Sequence, residues 1–241
     1  MKLGDVVQIS IGVPDLAEAV TFYEALGFSQ IATNQEPWPW AQFSDGRNLI
    51  LLNQDGNIYT GLNYFSTNVP EKVAQIEAAG VSFMSKQQQN GRLHTAIFGD
   101  NNGLMVGLIN HEAAEMPHPT GFPLCHCGKF GELAVAVNDF GETAAFWQQF
   151  GFEPTHTSNE PYPWGIFNDG RIVLGFHETT EFGKNGPALT YFAPDMPERI
   201  ERVRQAGISF ASEMPDETGE VRNATLKGSA GEAIFMFEGE V

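Results

Sequence analysis

The sequence predicts an α+β fold of four βαβββ units, arranged as two tandem copies with cup-shaped mixed sheets. The first observation is an internal repeat, in which Glu36-Pro37-Trp38-Pro39-Trp40 returns as Glu160-Pro161-Tyr162-Pro163-Trp164 at an offset of 124 residues. Held without a gap, that offset gives 16 identities over 51 positions between residues 3–53 and 127–177. The second observation is that each copy runs strand, helix, three strands, and then repeats that order.

The first unit of each copy shows this order most clearly. Residues 7–13 alternate between apolar and polar side chains, which predicts a half-buried strand. Asp15 is placed to cap the helix that follows, and Gly27 to end it. Three short strands are predicted near residues 28–34, 40–44 and 48–53, with a tight turn at Asp45-Gly46 between the last two.

The second unit of the first copy has weaker signals of the same kind. We expect a strand over 59–67, a helix over 70–79 that begins at Pro70, and strands near 81–85, 93–98 and 104–110. The second copy matches this part more loosely. A segment rich in Pro, His and Glu separates the copies, so the predicted domains are 1–112 and 128–241, with a linker at 113–127.

The charge of the chain limits its partners. Its 241 residues include 30 acidic and 13 basic side chains, giving a net charge of −17. Such a field repels a phosphate backbone, so we expect no nucleic acid partner. The charge either favours a cationic ligand or serves only solubility. No apolar run reaches membrane-spanning length and no export signal is evident, so no membrane partner and a cytoplasmic location are expected.

The two cysteines, Cys125 and Cys127, flank His126 in the linker region. With His118 nearby, they could form a zinc clip, because thiolates and imidazoles are the preferred ligands of zinc. Their spacing is not that of a standard zinc site, and a disulfide across one residue would be strained. The alternative is that they are inert linker thiols.

The chain resembles the vicinal-oxygen-chelate superfamily, which includes glyoxalase I, bleomycin-resistance proteins and extradiol dioxygenases. The resemblance rests on Val13-Pro14-Asp15-Leu16 before Phe22-Tyr23-x-x-Leu26-Gly27-Phe28, and on the closing turn Asp100-Asn101-Asn102-Gly103. In the second copy that turn is the degraded Gly228-Ser229-Ala230-Gly231. The resemblance implies two tandem glyoxalase-like domains that form a pseudo-dimer, and it leaves pairing with a second copy of the chain, as a homodimer, open.

Metal-using members of this superfamily carry His or Glu ligands on the first and last strands of each unit, facing the cup. The resemblance assigns those positions to Gln8, Leu51, Gly61 and Gly107 in the first copy, and to Glu132, Gly175, Ala188 and Phe235 in the second. A catalytic divalent metal needs about three protein ligands. The assigned residues do not supply them, so no metal or other cofactor is expected, with one divalent ion as the alternative.

One pair of residues keeps a catalytic hypothesis open. If residues 173–177 form a strand, His177 faces the cup on a strand next to that of Glu132. These two could act as an acid–base pair or a weak metal site, with His94 as a further candidate. The opposing interpretation of His177 is an exposed histidine at the end of a strand.

The duplicated proline-flanked aromatic segment is the strongest candidate for ligand binding. Alternating prolines stiffen an extended segment at a sheet rim, and rigid aromatic side chains beside Glu36 and Glu160 suit a flat or cationic organic molecule. The opposing interpretation is that the tryptophans fill a contact between the copies. The predicted ligand-binding residues are Gln8, Trp38, Trp40, Phe43, Asn53, Tyr162, Trp164 and Phe167.

The sequence therefore predicts a metal-independent protein that binds a small organic molecule, similar to bleomycin-resistance proteins. Because Phe235 stands where Gly107 stands in the first copy, we expect the second cup to be the filled one. The alternative is a metal-dependent lyase or dioxygenase with non-standard ligands, in the manner of a lactoylglutathione lyase.

Overall fold

The computed structural model describes residues 1–112, 115–184 and 186–240. The first two residues of the predicted linker, 113 and 114, lie outside the described residues, as does the C-terminal residue 241 of the second predicted domain. Within the described ranges no helix is long and apolar enough to cross a membrane.

Two open eight-stranded sheets follow each other along the chain. The strands of the first sheet are β1 (Val6–Gly12), β2 (Ser29–Asn34), β3 (Trp40–Ser44), β4 (Leu49–Asn53), β5 (Tyr59–Ser66), β6 (Ser85–Gln89), β7 (Arg92–Gly99) and β8 (Met105–Asn110). Their order in the sheet is β2-β3-β4-β1-β5-β8-β7-β6. β5 and β8 run parallel, whereas the β2–β3–β4 and β6–β7–β8 pairs are antiparallel. This is the mixed sheet that two βαβββ units predict.

The second sheet repeats the first. Its strands are β9 (Lys129–Ala136), β10 (Glu153–Ser158), β11 (Trp164–Asn168), β12 (Val173–His177), β13 (Ala188–Ala193), β14 (Ser212–Pro215), β15 (Val221–Lys227) and β16 (Ala233–Glu238). The order β10-β11-β12-β9-β13-β16-β15-β14 is the same as in the first sheet. The predicted α+β class with four βαβββ units is confirmed, whereas the predicted domain boundaries stay a prediction.

Each of the four βαβββ units contributes one helix. The helices are α1 (Leu16–Ala25), α2 (Val69–Ala78), α3 (Phe140–Gln148) and α4 (Met196–Gln205). Asp15 caps α1 by accepting a hydrogen bond from the backbone N–H of Glu18 at 3.0 Å, as predicted. Asp139 caps α3 in the same way, with the N–H of Glu142 at 2.7 Å. The repeat therefore preserves the start of the helix as well as its sequence.

The strand predicted near 81–85 begins later than expected, at Ser85. The N–H of Val81 donates to the carbonyl of Ile76 at 3.2 Å, which closes the C-terminal turn of α2. Its backbone donor is therefore used by the helix end and is not available to a strand. The next strand starts only at Ser85, which lies opposite Ile97 on β7.

Close packing divides the chain into two compact units that differ from the two sequence copies. The first compact unit comprises 1–9, 61–117 and 135–181, and the second comprises 10–60, 118–134 and 182–241. From here on, "first unit" and "second unit" mean these compact units and not the βαβββ units. Each unit has its own buried aromatic core. The first centres on Trp147, stacked against Phe176 with ring centroids 6.0 Å apart, and the second on Tyr23, edge-on to Phe28 at 5.0 Å.

The closing turns hold these two central aromatic side chains. In the first unit, Asp100 accepts a hydrogen bond from the indole N–H of Trp147 at 3.0 Å. In the second unit the corresponding turn residue is Gly228, and Tyr23 donates to the buried carboxylate of Glu232 at 2.6 Å instead. Burial raises the pKa of Glu232 above its ordinary range. The turn that looks degraded in sequence therefore still supplies a carboxylate to the aromatic residue.

Candidate functional site

We call the face of each sheet that points away from the helices the cup face. In the second unit, Thr190 on β13 lies opposite Glu132 on β9 and also opposite Phe235 on β16. Thr225 on β15 lies opposite Phe235. Their sequence neighbours Leu133, Leu189 and Ile234 are completely buried. Glu132, Thr190, Phe235 and Thr225 therefore form one row on the cup face, which we call the second row.

The first unit contains a corresponding row. Asn63 on β5 lies opposite Gly107 on β8, which lies opposite Ile97 on β7. The N–H of Asp5 donates to the carbonyl of Phe65 at 2.9 Å, the counterpart of the Lys129–Phe192 pairing in the second unit. By the repeat, Gln8 then occupies the position of Glu132. Gln8, Asn63, Gly107 and Ile97 form the first row.

These registers correct two assignments made from the sequence. Asn63 replaces Gly61 in the first row, and Thr190 replaces Ala188 in the second. Both errors are shifts of two residues, which keep a side chain on the same face of a strand. Hydrophobic alternation therefore could not detect them. The pairing with neighbouring strands fixes the register. The sequence signal that could have identified Asn63 and Thr190 is the position of their partners, Gly107 and Phe235, on the last strands.

Phenylalanine side chains crowd the second row. Phe235 packs edge-on against Phe182 with centroids 5.6 Å apart and lies 5.7 Å from Phe237. Phe237 in turn lies 5.9 Å from Phe192. The first row, by contrast, contains no aromatic side chain. This packing agrees with the expectation that the second cup is the filled one.

The proline-flanked aromatic segment of the first copy ends in a polar network in the second unit. The indole N–H of Trp38 lies 3.4 Å from Oδ1 of Asn53, and Trp38 is 44% exposed. Asn53 donates to the hydroxyls of Ser10 and Tyr59, both at 3.1 Å. Burial raises the pKa of Tyr59, which donates to Asp55 at 3.1 Å. Trp40 on β3 lies directly opposite Asn53 on β4. The predicted residues Trp38, Trp40 and Asn53 are thus brought together.

The corresponding segment of the second copy packs differently, inside the first unit. Trp164 stacks on His177 with centroids 5.8 Å apart and an angle of 4° between the rings. Tyr162 approaches the same imidazole edge-on at 6.2 Å, and His156 lies 5.0 Å from Trp164. His177 is the repeat counterpart of Asn53. It therefore anchors its aromatic segment by stacking, where Asn53 uses hydrogen bonds.

The two residues predicted to act in catalysis have different strand partners. His177 accepts a backbone hydrogen bond from Val137 at 2.8 Å, whereas Glu132 lies opposite Thr190. Glu132 is buried, with 7% of its surface exposed. His177 does face the cup, because its neighbour Phe176 points into the core. Their catalytic role stays a prediction.

Two of the predicted ligand-binding residues point away from the cup. Phe43 is completely buried 6.2 Å from Tyr23, and Phe167 is 1% exposed and packs 5.1 Å from Phe176. Alternation along β3 and β11 places them opposite Trp40 and Trp164. They are core residues, so their assignment to ligand binding is corrected.

The cysteines lie in the second unit and carry free thiols. Cys125 and Cys127 are both completely buried. Burial raises the pKa of Cys125 well above its usual range, which favours the neutral thiol over the thiolate that zinc requires. Nowhere in the described ranges do three or more His, Cys, Asp or Glu side chains form a group that could hold a metal ion.

The two rows also provide a direct test of a metal site. The second row offers one carboxylate, two hydroxyls and a phenylalanine ring, and the first offers two carboxamides, a glycine and an isoleucine. A catalytic divalent ion is held by about three imidazole, carboxylate or thiolate ligands. Neither row supplies that set. The residues present do not fit a metal of this kind.

No protein-family model matches the chain, and no curated protein sequence matches it. Solved structures do match. A catechol 2,3-dioxygenase superposes with a TM-score of 0.65 and 13% identity, covering 100% of this chain and 94% of that one. The chain has the vicinal-oxygen-chelate fold.

Two further structures show the same vicinal-oxygen-chelate fold. One is 2,2',3-trihydroxybiphenyl 1,2-dioxygenase from Sphingomonas wittichii strain RW1, with 16% identity, a TM-score of 0.62, and coverage of 99% of this chain and 90% of that one. The other is the Mn(II)-bound glyoxalase from Novosphingobium aromaticivorans, with 15% identity, a TM-score of 0.62, and coverage of 97% and 80%. At such identities the likeness establishes the fold and leaves the activity to the site residues.

Proposed function

We propose that this protein binds small organic molecules on the cup face of its first copy, at the first row in the first unit and beside Trp38 in the second unit, without a resident divalent metal. The observation that carries the proposal is the composition of the first row, in which Gln8, Asn63 and Gly107 stand at the positions where the fold places metal ligands. Carboxamides exchange hydrogen bonds with an uncharged ligand and are weak ligands for a transition metal.

The aromatic residues of the first copy support an organic ligand. Trp38 is 44% exposed and is held by Asn53, so an aromatic surface is presented without a protein ring covering it among the described residues. Its counterpart Tyr162 instead packs against His177. Stacking on a fixed indole contributes about 0.5–2 kcal/mol to binding an aromatic or cationic molecule.

Replacing Trp38 with Ala is expected to weaken binding of an aromatic probe about fivefold to tenfold, because one stacking surface is lost. The matched control is Tyr162→Ala, the equivalent change in the second copy, which should leave the affinity unchanged. The measurement is titration of chelator-treated protein with 2-pyridone and with benzamidine, followed by calorimetry. Equal losses in the two variants would contradict a site in the first copy.

A metal-dependent enzyme is the second candidate. The comparisons favour it, since the solved structures that share this fold include dioxygenases and a Mn(II)-bound glyoxalase. Glu132 would be the carboxylate ligand of such a site, with Thr190 next to it. The remaining ligand would have to come from outside the second row, and His177 is the predicted residue for that role.

A further inference from the structure

Gln8 is a buried polar side chain of the first row. Only 2% of its surface is exposed, and no other described residue makes a hydrogen bond with its carboxamide. A carboxamide without a protein partner takes its hydrogen bonds from water or from a ligand. The position of Gln8 in the first row indicates a ligand, because that row faces the cup.

Asn63 presents a second carboxamide in the same row. It too lacks a hydrogen-bonding partner among the described residues, and its Oδ1 lies only 2.6 Å from the place that a Cβ on Gly107 would take. Glycine at 107 therefore leaves the space that the Asn63 amide occupies. In the second row the corresponding pair is Thr190 and Phe235. The Asn63 amide in the first copy and the Phe235 ring in the second copy are thus alternative occupants of equivalent space.

Ile97 lies on the other side of Gly107 and adds an apolar surface to this polar pair. The first row therefore offers two neutral amides beside an aliphatic side chain, with no charged group among its members. A charged ligand would lose its hydration there without gaining an opposite charge. A neutral ligand would replace its hydrogen bonds to water with hydrogen bonds to the two amides, at little cost in free energy.

We propose that Gln8 and Asn63 recognise a neutral, planar molecule in which an N–H donor group is bonded directly to a C=O acceptor group, as in a cyclic amide. Each carboxamide has an NH2 group and a C=O acceptor, so it can pair with such an edge through two hydrogen bonds, one donated and one accepted. This ligand class rests on the proposed function, and it narrows the cationic or aromatic molecule expected from the sequence.

The test uses chelator-treated protein and two probes that differ by one methyl group. 2-Pyridone has the adjacent donor and acceptor, whereas N-methyl-2-pyridone lacks the donor. Binding is followed through the side-chain NH2 resonances of Gln8 and Asn63 in ¹⁵N-labelled protein. We expect 2-pyridone to shift both resonances and to bind about tenfold more tightly than its methylated analogue, because a hydrogen bond to a buried group is lost. This comparison needs no variant.

Two variants locate the site. Asn63→Thr combined with Gly107→Phe copies the pair found in the second row and should abolish the shift of the Gln8 resonances. Thr190→Val, in the second row, should leave 2-pyridone binding unchanged. The inference is overturned if the two probes bind equally, or if neither amide resonance moves at saturation. If another aromatic molecule then still binds in a Trp38-dependent way, the ligand class is wrong and the proposed function stands.

Discussion

Replacing Glu232 with Leu is expected to lower the free energy of unfolding by about 3 kcal/mol, as is usual when a buried charged hydrogen-bond partner is removed. Tyr23, completely buried, would lose its acceptor at 2.6 Å, and the N–H of Ala230 would lose its own at 2.9 Å. Urea denaturation measures the change. Glu153→Ala, at an exposed position on β10, is the control and should change stability by less than about 0.5 kcal/mol.

The repeat supplies a rescue for this variant. A Cβ on Gly228 would lie 2.0 Å from Oε1 of Glu232, so Gly228→Asp alone should also destabilise the protein. The double variant Gly228→Asp with Glu232→Leu recreates the turn of the first copy, where Asp100 and Leu104 stand at these positions. We expect it to recover at least about 2 kcal/mol relative to the sum of the single changes. Additive losses would show that Glu232 does not substitute for the missing aspartate.

Replacing Asp45 with Ala is expected to cost about 3 kcal/mol, because one carboxylate satisfies several buried donors. Its Oδ1 accepts from the N–H groups of Arg47 and Asn48 at 2.7 and 2.6 Å, and its Oδ2 accepts from the hydroxyl of Tyr191 at 3.2 Å. Burial raises the pKa of Asp45, and the hydrogen bonds from Asn48, Arg47 and Tyr191 oppose that shift. The measurement is again the urea midpoint.

Two comparisons sharpen this prediction. Asp169→Ala should cost a similar amount, because Asp169 accepts from Tyr64 at 2.9 Å in the first unit, as Asp45 does from Tyr191 in the second. Tyr191→Phe removes only one of the donors and should cost about 1 kcal/mol. A loss in Tyr191→Phe as large as in Asp45→Ala would mean that the tyrosine, and not the turn, is the main contributor.

Much of the fold follows from the sequence because it depends on local patterns. The repeat at an offset of 124 residues fixes the number of copies, and Asp15 and Asp139 mark the helix starts where the structure has them. The late start of β6 was missed, since the hydrophobic residues at 81–83 follow the helix and do not enter the sheet. Local pattern cannot separate those two uses of an apolar segment.

The candidate site was less predictable because it depends on the register between strands. Asn63 and Thr190 were missed through shifts of two residues, and Phe43 was assigned to the wrong face of β3. The carboxylate of Glu232 was missed for a different reason, since it fills the place of an absent aspartate from four residues further along the chain. A compensation of that kind becomes visible only when the side chains are placed.

The metal content of the purified protein tests the central claim most directly. The claim is that both rows have lost the ligands of a catalytic metal, because one carboxylate, Glu132, stands where a full set is needed. Untagged protein, purified without chelator and then offered manganese, iron, nickel and zinc, is expected to retain less than about 0.1 ion per chain. About one tightly held ion per chain, lost in Glu132→Gln, would contradict the account and support a metal-dependent enzyme.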